Sequence, residues 1–203
     1  MENSACHDTQ QPGHNREELV DEKVKEVWLR EQEELKKQLV TEDVHYWSRH
    51  HMAARGEGDD DQLLKYVGGV VLVDGNGVLH PRYFGLACHL GVKQGIPTVG
   101  VAKNLFQIDG LERNEAHQAQ IEDLQRAGDT FYLYGASGRT LGMALKTCEK
   151  ATKPVYVSVG HQVSLDTAVW IATTCSLYRV PEPVRQADLR SREFVRDRFP
   201  GDD

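Results

Sequence analysis

Apolar positions in this chain come in short runs separated by charged or glycine-rich breaks. The most strongly β-prone run is Val70–Val73, within Tyr66-Val-Gly-Gly-Val-Val-Leu-Val-Asp-Gly-Asn-Gly77. A continuous run of this kind suits a strand covered on both faces. It stops at Asp74, and the glycines that follow permit a sharp turn and close backbone approach. Upstream, residues 1–15 are polar and read as a disordered tail. Between Arg16 and about Val40, apolar residues Val20, Val24, Val27, Trp28, Leu35 and Leu39 recur at three- and four-residue steps, which predicts a charged amphipathic helix with one docking face. Downstream, Phe84–Val92 reads as a short buried helix that Gly91 or Gly95 stops. Ile96–Ala102 reads as a second strand, delivering Lys103 at its end. Arg113–Ala127 reads as an amphipathic helix closed by Gly128. Thr130–Tyr134 and Arg139–Thr147 read as a hairpin through Gly135–Gly138, and Lys153–Val159 as a further strand. Ser164 caps a helix to about Thr174. Tyr178–Pro183 is extended before its prolines, and Pro183 opens a last helix carrying Arg185, Asp188, Arg190 and Arg192. Strands alternating with helices define an α/β protein, with residues 16–200 as one domain.

Composition narrows the function. The formal charge of −7 argues against coating nucleic acid by bulk charge and leaves room for a local basic cleft. Cys6, Cys88, Cys148 and Cys175 are scattered without a CxxC pair, which speaks against a zinc knuckle or disulfide framework and for reduced thiols inside the cell. No apolar run approaches the roughly 20 residues of a membrane span, and the polar N-terminus lacks a signal-peptide core. His45, His50 and His51 lie close together without a neighbouring acid or cysteine at metal spacing, so a surface segment is expected there. Gly56–Asp61 reads as a solvated acidic loop.

The candidate chemistry lies in Asp74, His80, Arg82, Lys103 and Asp188. Asp74 and Lys103 each end a strand, and ligands collect at the carboxyl ends of strands in open α/β sheets. Carboxylates suit a hard cation such as Mg²⁺, which activates water and screens a phosphodiester, while lysine and arginine suit developing phosphate charge. Each residue also has an ordinary reading. Asp74 fits an Asx turn, His80 and Arg82 fit loop polars, and Lys103 fits a solvated strand end. Asp188 fits a helix-surface acid paired with Arg185 or Arg192. No GxSxG elbow, Walker A loop, GxGxxG turn or HExxH helix competes.

Three stretches carry a family resemblance. Asp74-Gly-Asn-Gly-Val-Leu-His-Pro-Arg-Tyr-Phe-Gly-Leu-Ala-Cys-His-Leu-Gly91 resembles the DGxG…HPRxxGxAxHxG signature of endonuclease V. Gly100-Val-Ala-Lys103 resembles its GVAK segment, and Tyr178-Arg-Val-Pro-Glu-Pro-Val-Arg-Gln-Ala-Asp188 its C-terminal RIPEPxRxA motif. The helix around Trp28 looks like the family's N-terminal helix. The likeness runs from roughly Val24 to Phe199 and is closest to animal members. It implies an RNase H-like mixed sheet flanked by helices. It also implies Mg²⁺-dependent hydrolysis (Mn²⁺ substituting) of single-stranded RNA or DNA containing inosine, at the second phosphodiester 3′ to the modified base. By the same resemblance, Asp74 and Asp188 are metal-site acids, Lys103 is the catalytic lysine, and His80 is the active-site-loop histidine. Gly75, Gly77, Arg82, Gly85 and the Gly100–Lys103 backbone, Ala102 included, bind substrate around a hypoxanthine pocket. A flipped base needs such a close-fitting pocket. A monomer in cytoplasm and nucleus or nucleolus is the accompanying expectation.

The sequence also departs from the family pattern. Family members begin the sheet with a Val-Gly-Gly-Val-Asp strand, whose Asp is a metal ligand. Two more strands, a Pro-Tyr wedge loop and a catalytic Glu follow. Here Val67-Gly-Gly-Val70 runs directly into Val71, and those acids have no matching positions. The expected consequences are a sheet truncated at its start and a metal site reduced to Asp74 and Asp188. A working endonuclease, a catalytically inactive inosine-RNA-binding chain and a non-functional splice product all remain open at this stage.

Overall fold

The computed structural model describes residues 22–42 and 69–198. The histidine-rich segment, the acidic loop, the N-terminal tail and Cys6 lie outside the described residues. In chain order the elements are helix α1 (Glu22–Lys36), strand β1 (Val71–Asp74), helix α2 (Leu86–Gln94), strand β2 (Thr98–Ala102), helix α3 (Glu115–Glu122), strands β3 (Thr130–Tyr134), β4 (Thr140–Leu145) and β5 (Val155–His161), and helices α4 (Leu165–Thr174) and α5 (Glu182–Arg198). The strands form one mixed sheet in the order β1-β2-β5-β4-β3. β1 and β2 are parallel and the remaining pairs antiparallel.

The hydrophobic pattern explains the layering. Every residue of β2 and β5 is buried, as befits strands with neighbours on both edges and cover on both faces. One face carries Val99, Val101, Leu145, Val155 and Val157 against Ala168, Ile171 and Ala172 of α4 and Val184 of α5. The other face holds Leu79, Leu133, Leu141, Ala144 and Tyr156, with α2 beside them. Leu35 and Leu39 dock the end of α1 onto Phe84, Cys88 and Val92. The helical stripe read from the sequence is thus only partly a docking face, because Val27 stays 49% exposed. Burial pushes the Cys88 thiol up to about 12, which leaves it an inert core residue.

Other boundaries moved for identifiable reasons. Gly91 does not stop α2. It lies inside the helix, where a Cβ would meet Thr98 Oγ1 and His161 Cβ, both at 2.4 Å. Gly95 stops it instead, in the left-handed conformation at φ 63°. The expected helix over Arg113–Ala127 shortens to Glu115–Glu122. The Asp129 carboxylate accepts from the backbone N–H groups of Gln125 and Arg126, and this turn competes with helix continuation. The hairpin forms as read, with β3 and β4 antiparallel. Ser164 caps α4 by accepting from Thr167 N.

β1 is the edge strand of the sheet, and Val71 is 38% exposed there. Among the described residues, no further strand pairs with its outer edge.

Acid should weaken this fold. His161 is buried, its Nδ1 accepts from Val40 N at 3.2 Å, and burial holds its pKa below the usual histidine value. His117 is lowered first by burial and then by Arg113, and His80 first by burial and then by Arg82. A histidine with a lowered folded-state pKa takes up its proton more readily in the unfolded chain. Stability is therefore fully present above the unfolded value near 6.5 and is lost as pH falls through the lower folded values. The urea midpoint should drop between pH 7.5 and pH 5. A midpoint that stays level over that range would show that these histidines protonate without opposing the fold.

Candidate active site

The site is built where β1 and β2 end side by side. Their parallel register sets Asp74 opposite Val101, and Gly75 N donates to Val101 O at 3.2 Å. Asp74 therefore ends β1 level with Val101, two residues before Lys103, which follows the end of β2. Helix α5 crosses beneath. Val184 is 1% exposed in the core, and Asp188, four residues on, lies on the same helix face.

These three positions converge, although 29 residues separate Asp74 from Lys103. Lys103 Nζ lies 2.7 Å from Asp74 Oδ2 and 3.9 Å from Asp188 Oδ2. Arg192 grips Asp188 from the next turn, Nη2 to Oδ2 at 2.9 Å and Nε to Oδ1 at 3.0 Å. The expected surface pairing of Asp188 with Arg192 is thus present, and Arg185 instead pairs with Glu182 at 2.7 Å. The side chains of Lys103, Asp74 and Asp188 are 34%, 43% and 31% exposed, so the cluster opens to solvent. Ion pairs this exposed contribute at most about 1 kcal/mol to folding, and stability alone does not call for one ammonium between two carboxylates.

Among the described residues, no group of three His, Cys, Asp or Glu gathers to hold a metal ion. Asp74 and Asp188 stand as a pair. Their hard oxygen donors still suit Mg²⁺, which protein sites bind through one or two carboxylates plus waters and substrate phosphate.

The other residues singled out in the sequence are placed as follows. His80 sits on the loop after Asp74, with its ring 5.8 Å from that of Phe106. Its Nδ1 accepts from Arg82 N at 3.3 Å, and the Arg82 side chain is exposed. No described contact links His80 to the acid–lysine cluster. The loop glycines are packed against the protein itself. A Cβ at Gly77 would lie 1.8 Å from Val159 O, one at Gly85 2.3 Å from Asn76 O, and one at Gly100 2.4 Å from Gly77 N. The close approach these glycines allow is between the loop and the strands beneath it. The Ala102 methyl is likewise spent in the core, at 7% exposure, so only backbone at that position can face a ligand. Gly75 packs more loosely, against Leu86.

Arg179 is a residue that the sequence reading passed over. Its Nη2 donates to Lys103 O at 2.5 Å and Pro154 O at 3.0 Å, and its Nε to Lys153 O at 3.1 Å. Its own carbonyl accepts from Thr147 Oγ1 at 2.8 Å. One guanidinium thus clamps the end of β2 to the start of β5 and fixes the backbone from which Lys103 projects. The signal was present, an arginine inside an extended Tyr-Arg-Val-Pro segment, but its partners are 25 to 76 residues away. Arg179→Lys should cost about 2–3 kcal/mol, because a single ammonium cannot satisfy three carbonyls and each one left unpaired costs about 1 kcal/mol or more. Urea unfolding checks this, and an unchanged midpoint would dismiss the clamp.

Comparison with known proteins follows the same residues. The model of the family described as Endonuclease V matches residues 61–189. Mouse endonuclease V is 60% identical over 127 residues, covering 63% of this chain and 38% of its own length. The chain thus spans less than half of that curated relative. The crystal structure of the catalytic domain of human endonuclease V superposes with a TM-score of 0.79 at 36% identity, covering 89% of this chain and 99% of that one. Ciona intestinalis endonuclease V, solved with a 23-mer DNA containing an inosine followed by a ribo-adenosine, gives 0.70 at 26% identity, covering 88% and 99%. The five-stranded mixed sheet with flanking helices is the architecture of these proteins. On the family match over residues 61–189 and on these likenesses, the chain belongs to the endonuclease V family.

Proposed function

We propose that this chain is an endonuclease acting on single strands that contain inosine, with Mg²⁺ held at Asp74 and Asp188. The observation that carries the reading is the meeting of Asp74, Lys103 and Asp188 at one end of the sheet. Family membership and the inosine-containing DNA in the Ciona intestinalis complex point to the same substrate class.

The chemistry is hydrolysis of a phosphodiester. A water oxygen bonds to phosphorus, one ester oxygen departs, and a proton passes to that leaving oxygen. When bound, Mg²⁺ supplies a Lewis acid for the phosphoryl oxygens and lowers the pKa of water. The protein's own residues then divide the work. Asp74 and Asp188 offer oxygen donors at the strand end. Lys103 brings a compact positive charge to the place where negative charge develops on phosphate. Arg192 orients the Asp188 carboxylate through two hydrogen bonds. Phe106, 41% exposed beside His80, offers an aromatic face for an unstacked base.

The test uses a labelled single-stranded RNA with one inosine. Cleavage should require Mg²⁺ or Mn²⁺ and should disappear in Asp74→Ala. Calorimetric binding of Mn²⁺ should weaken in the same variant, which reports on the site apart from turnover. Absence of cleavage above an enzyme-free control at every metal concentration would reject the nuclease.

A second reading is favoured by the pairing of only two carboxylates, without a third acid among the described residues. In that reading the chain binds inosine-containing RNA without cutting it. It requires tighter binding of the inosine strand than of a guanosine strand of the same sequence, with no product formed. Equal affinity for the two strands would remove it.

A further inference from the structure

A second cleft lies against the site. Its volume is about 350 Å³, and Lys103 forms one wall. The other cationic walls are Arg113, Lys153 and Arg179, and no Asp or Glu lines it. That is unexpected in a chain with 31 acids against 24 lysines and arginines. Lys103 shares its charge with Asp74 and Asp188, but Arg113, Lys153 and Arg179 meet no carboxylate in the cleft lining and repel one another. Such an arrangement costs stability unless an anion enters.

We propose that this cleft seats a backbone phosphate of the bound strand, next to the phosphodiester held at Asp74 and Lys103. The inference rests on the nucleic-acid reading given above and adds to it the path that the strand takes on leaving the site. Several observations support it. The described ion pairs involve neither Arg113 nor Lys153, and both residues are exposed. Arg113 spends Nη2 on Leu105 O at 3.3 Å, which anchors the guanidinium while other donors remain. Arg179 is immobilised on three carbonyls and lends fixed charge. Deeper in the cleft, His117 Nε2 lies 3.1 Å from Tyr156 Oη. Burial, and then Arg113, hold that histidine below its ordinary pKa, so it is neutral at pH 7 and acts as a hydrogen-bonding surface. Asn114, the N-cap of α3, stands at the rim, so the positive end of that helix faces the same space.

The source of the anion is a strand rather than a small metabolite. Lys103 is shared by cleft and site, so a phosphate here and one at Asp74 are neighbours along one chain. Phosphate contacts of this kind fix the register of a strand and do not read its sequence.

The salt dependence of binding tests the proposal. The full chain carrying Asp74→Asn, which keeps the strand intact, is titrated with fluorescein-labelled inosine RNA across a KCl series. Each phosphate neutralised on a single strand contributes about 0.7 to the slope of log K against log [salt]. Arg113→Gln with Lys153→Gln should reduce the slope by about 0.7, the share of one phosphate, and should weaken inosine and guanosine strands by the same factor. Lys153→Gln alone should remove about half of that, without touching the buried floor. Lys93→Gln, which makes the same charge change on the exposed end of α2, should leave the slope where it was. Tight binding of inosine RNA with the parent slope in the double variant would overturn the cleft and leave the nuclease reading standing. No RNA binding by the parent protein would end both. Melting curves of each variant confirm that the fold is retained.

Discussion

Gly77→Ala should cost about 3–5 kcal/mol, a large share of a total domain stability of about 5–15 kcal/mol. The added Cβ would lie 1.8 Å from the carbonyl oxygen of Val159 and 2.5 Å from its carbon. Both atoms are backbone, on the fully buried strand β5, so no side chain can swing away. Relief requires the loop to lift. Lifting breaks the bond from Gly77 N to Ser158 Oγ (2.9 Å) and the bond from Val78 N to Val159 O (2.8 Å). It also disturbs the bond from Gly85 N to Gly77 O (2.9 Å), which closes the loop over α2. Gly95→Ala is the informative comparison. That position has φ 63° but nothing within 4 Å of a new Cβ, so only the left-handed conformation of about 1–2 kcal/mol opposes it. Urea unfolding of the two variants should separate them by several kcal/mol. Equal losses would mean that the loop is free to move off β5 and that its glycines are there for another reason.

Lys103→Met should have the opposite profile. Cleavage of inosine RNA should fall by about 10²- to 10³-fold, the usual cost of removing one preorganised charge stabiliser. Stability should change by no more than about 1 kcal/mol, since the pairs it makes are partly solvated. The ammonium lies 2.7 Å from Asp74 and 3.9 Å from Asp188, so its loss leaves two carboxylates facing each other and raises their demand for a cation. Mn²⁺ affinity should therefore hold or rise while turnover collapses, an outcome that a general structural role would not produce. Lys103→Arg should rescue turnover only in part, because a planar fork does not occupy the place of a point charge. Single-turnover rates together with metal titrations decide the matter. Parallel loss of stability and activity would make Lys103 a structural ion-pair residue.

These two variants mark the division between what local sequence carries and what it does not. The elements were legible where chemistry is local. The Val70–Val73 run predicted β1, Ser164 predicted the cap of α4, and the glycine turn predicted the β3–β4 hairpin. The acid and the lysine were legible because one closes an apolar β-prone run and the other directly follows one, and strand ends of parallel neighbours must lie side by side. The motif wording added Asp188, which helical periodicity alone left as a surface acid.

Other features depended on partners distant in sequence. Gly91 reads as a helix stop until Thr98 and His161 fill the space beside it. The helix beginning near Arg113 reads as long until Asp129 folds back on Gln125 and Arg126. Arg179 is one arginine among many until β2 and β5 present it with three carbonyls. The basic cleft exists only because residues 103, 113, 153 and 179 meet in space. By itself the sequence determined the strand and helix formers, the two strand-end groups and the family likeness, because these are set by neighbours along the chain. Only the tertiary structure decided what each glycine touches, what holds Lys103 in place and where positive charge collects, because packing and electrostatics act through space between segments that the chain keeps far apart.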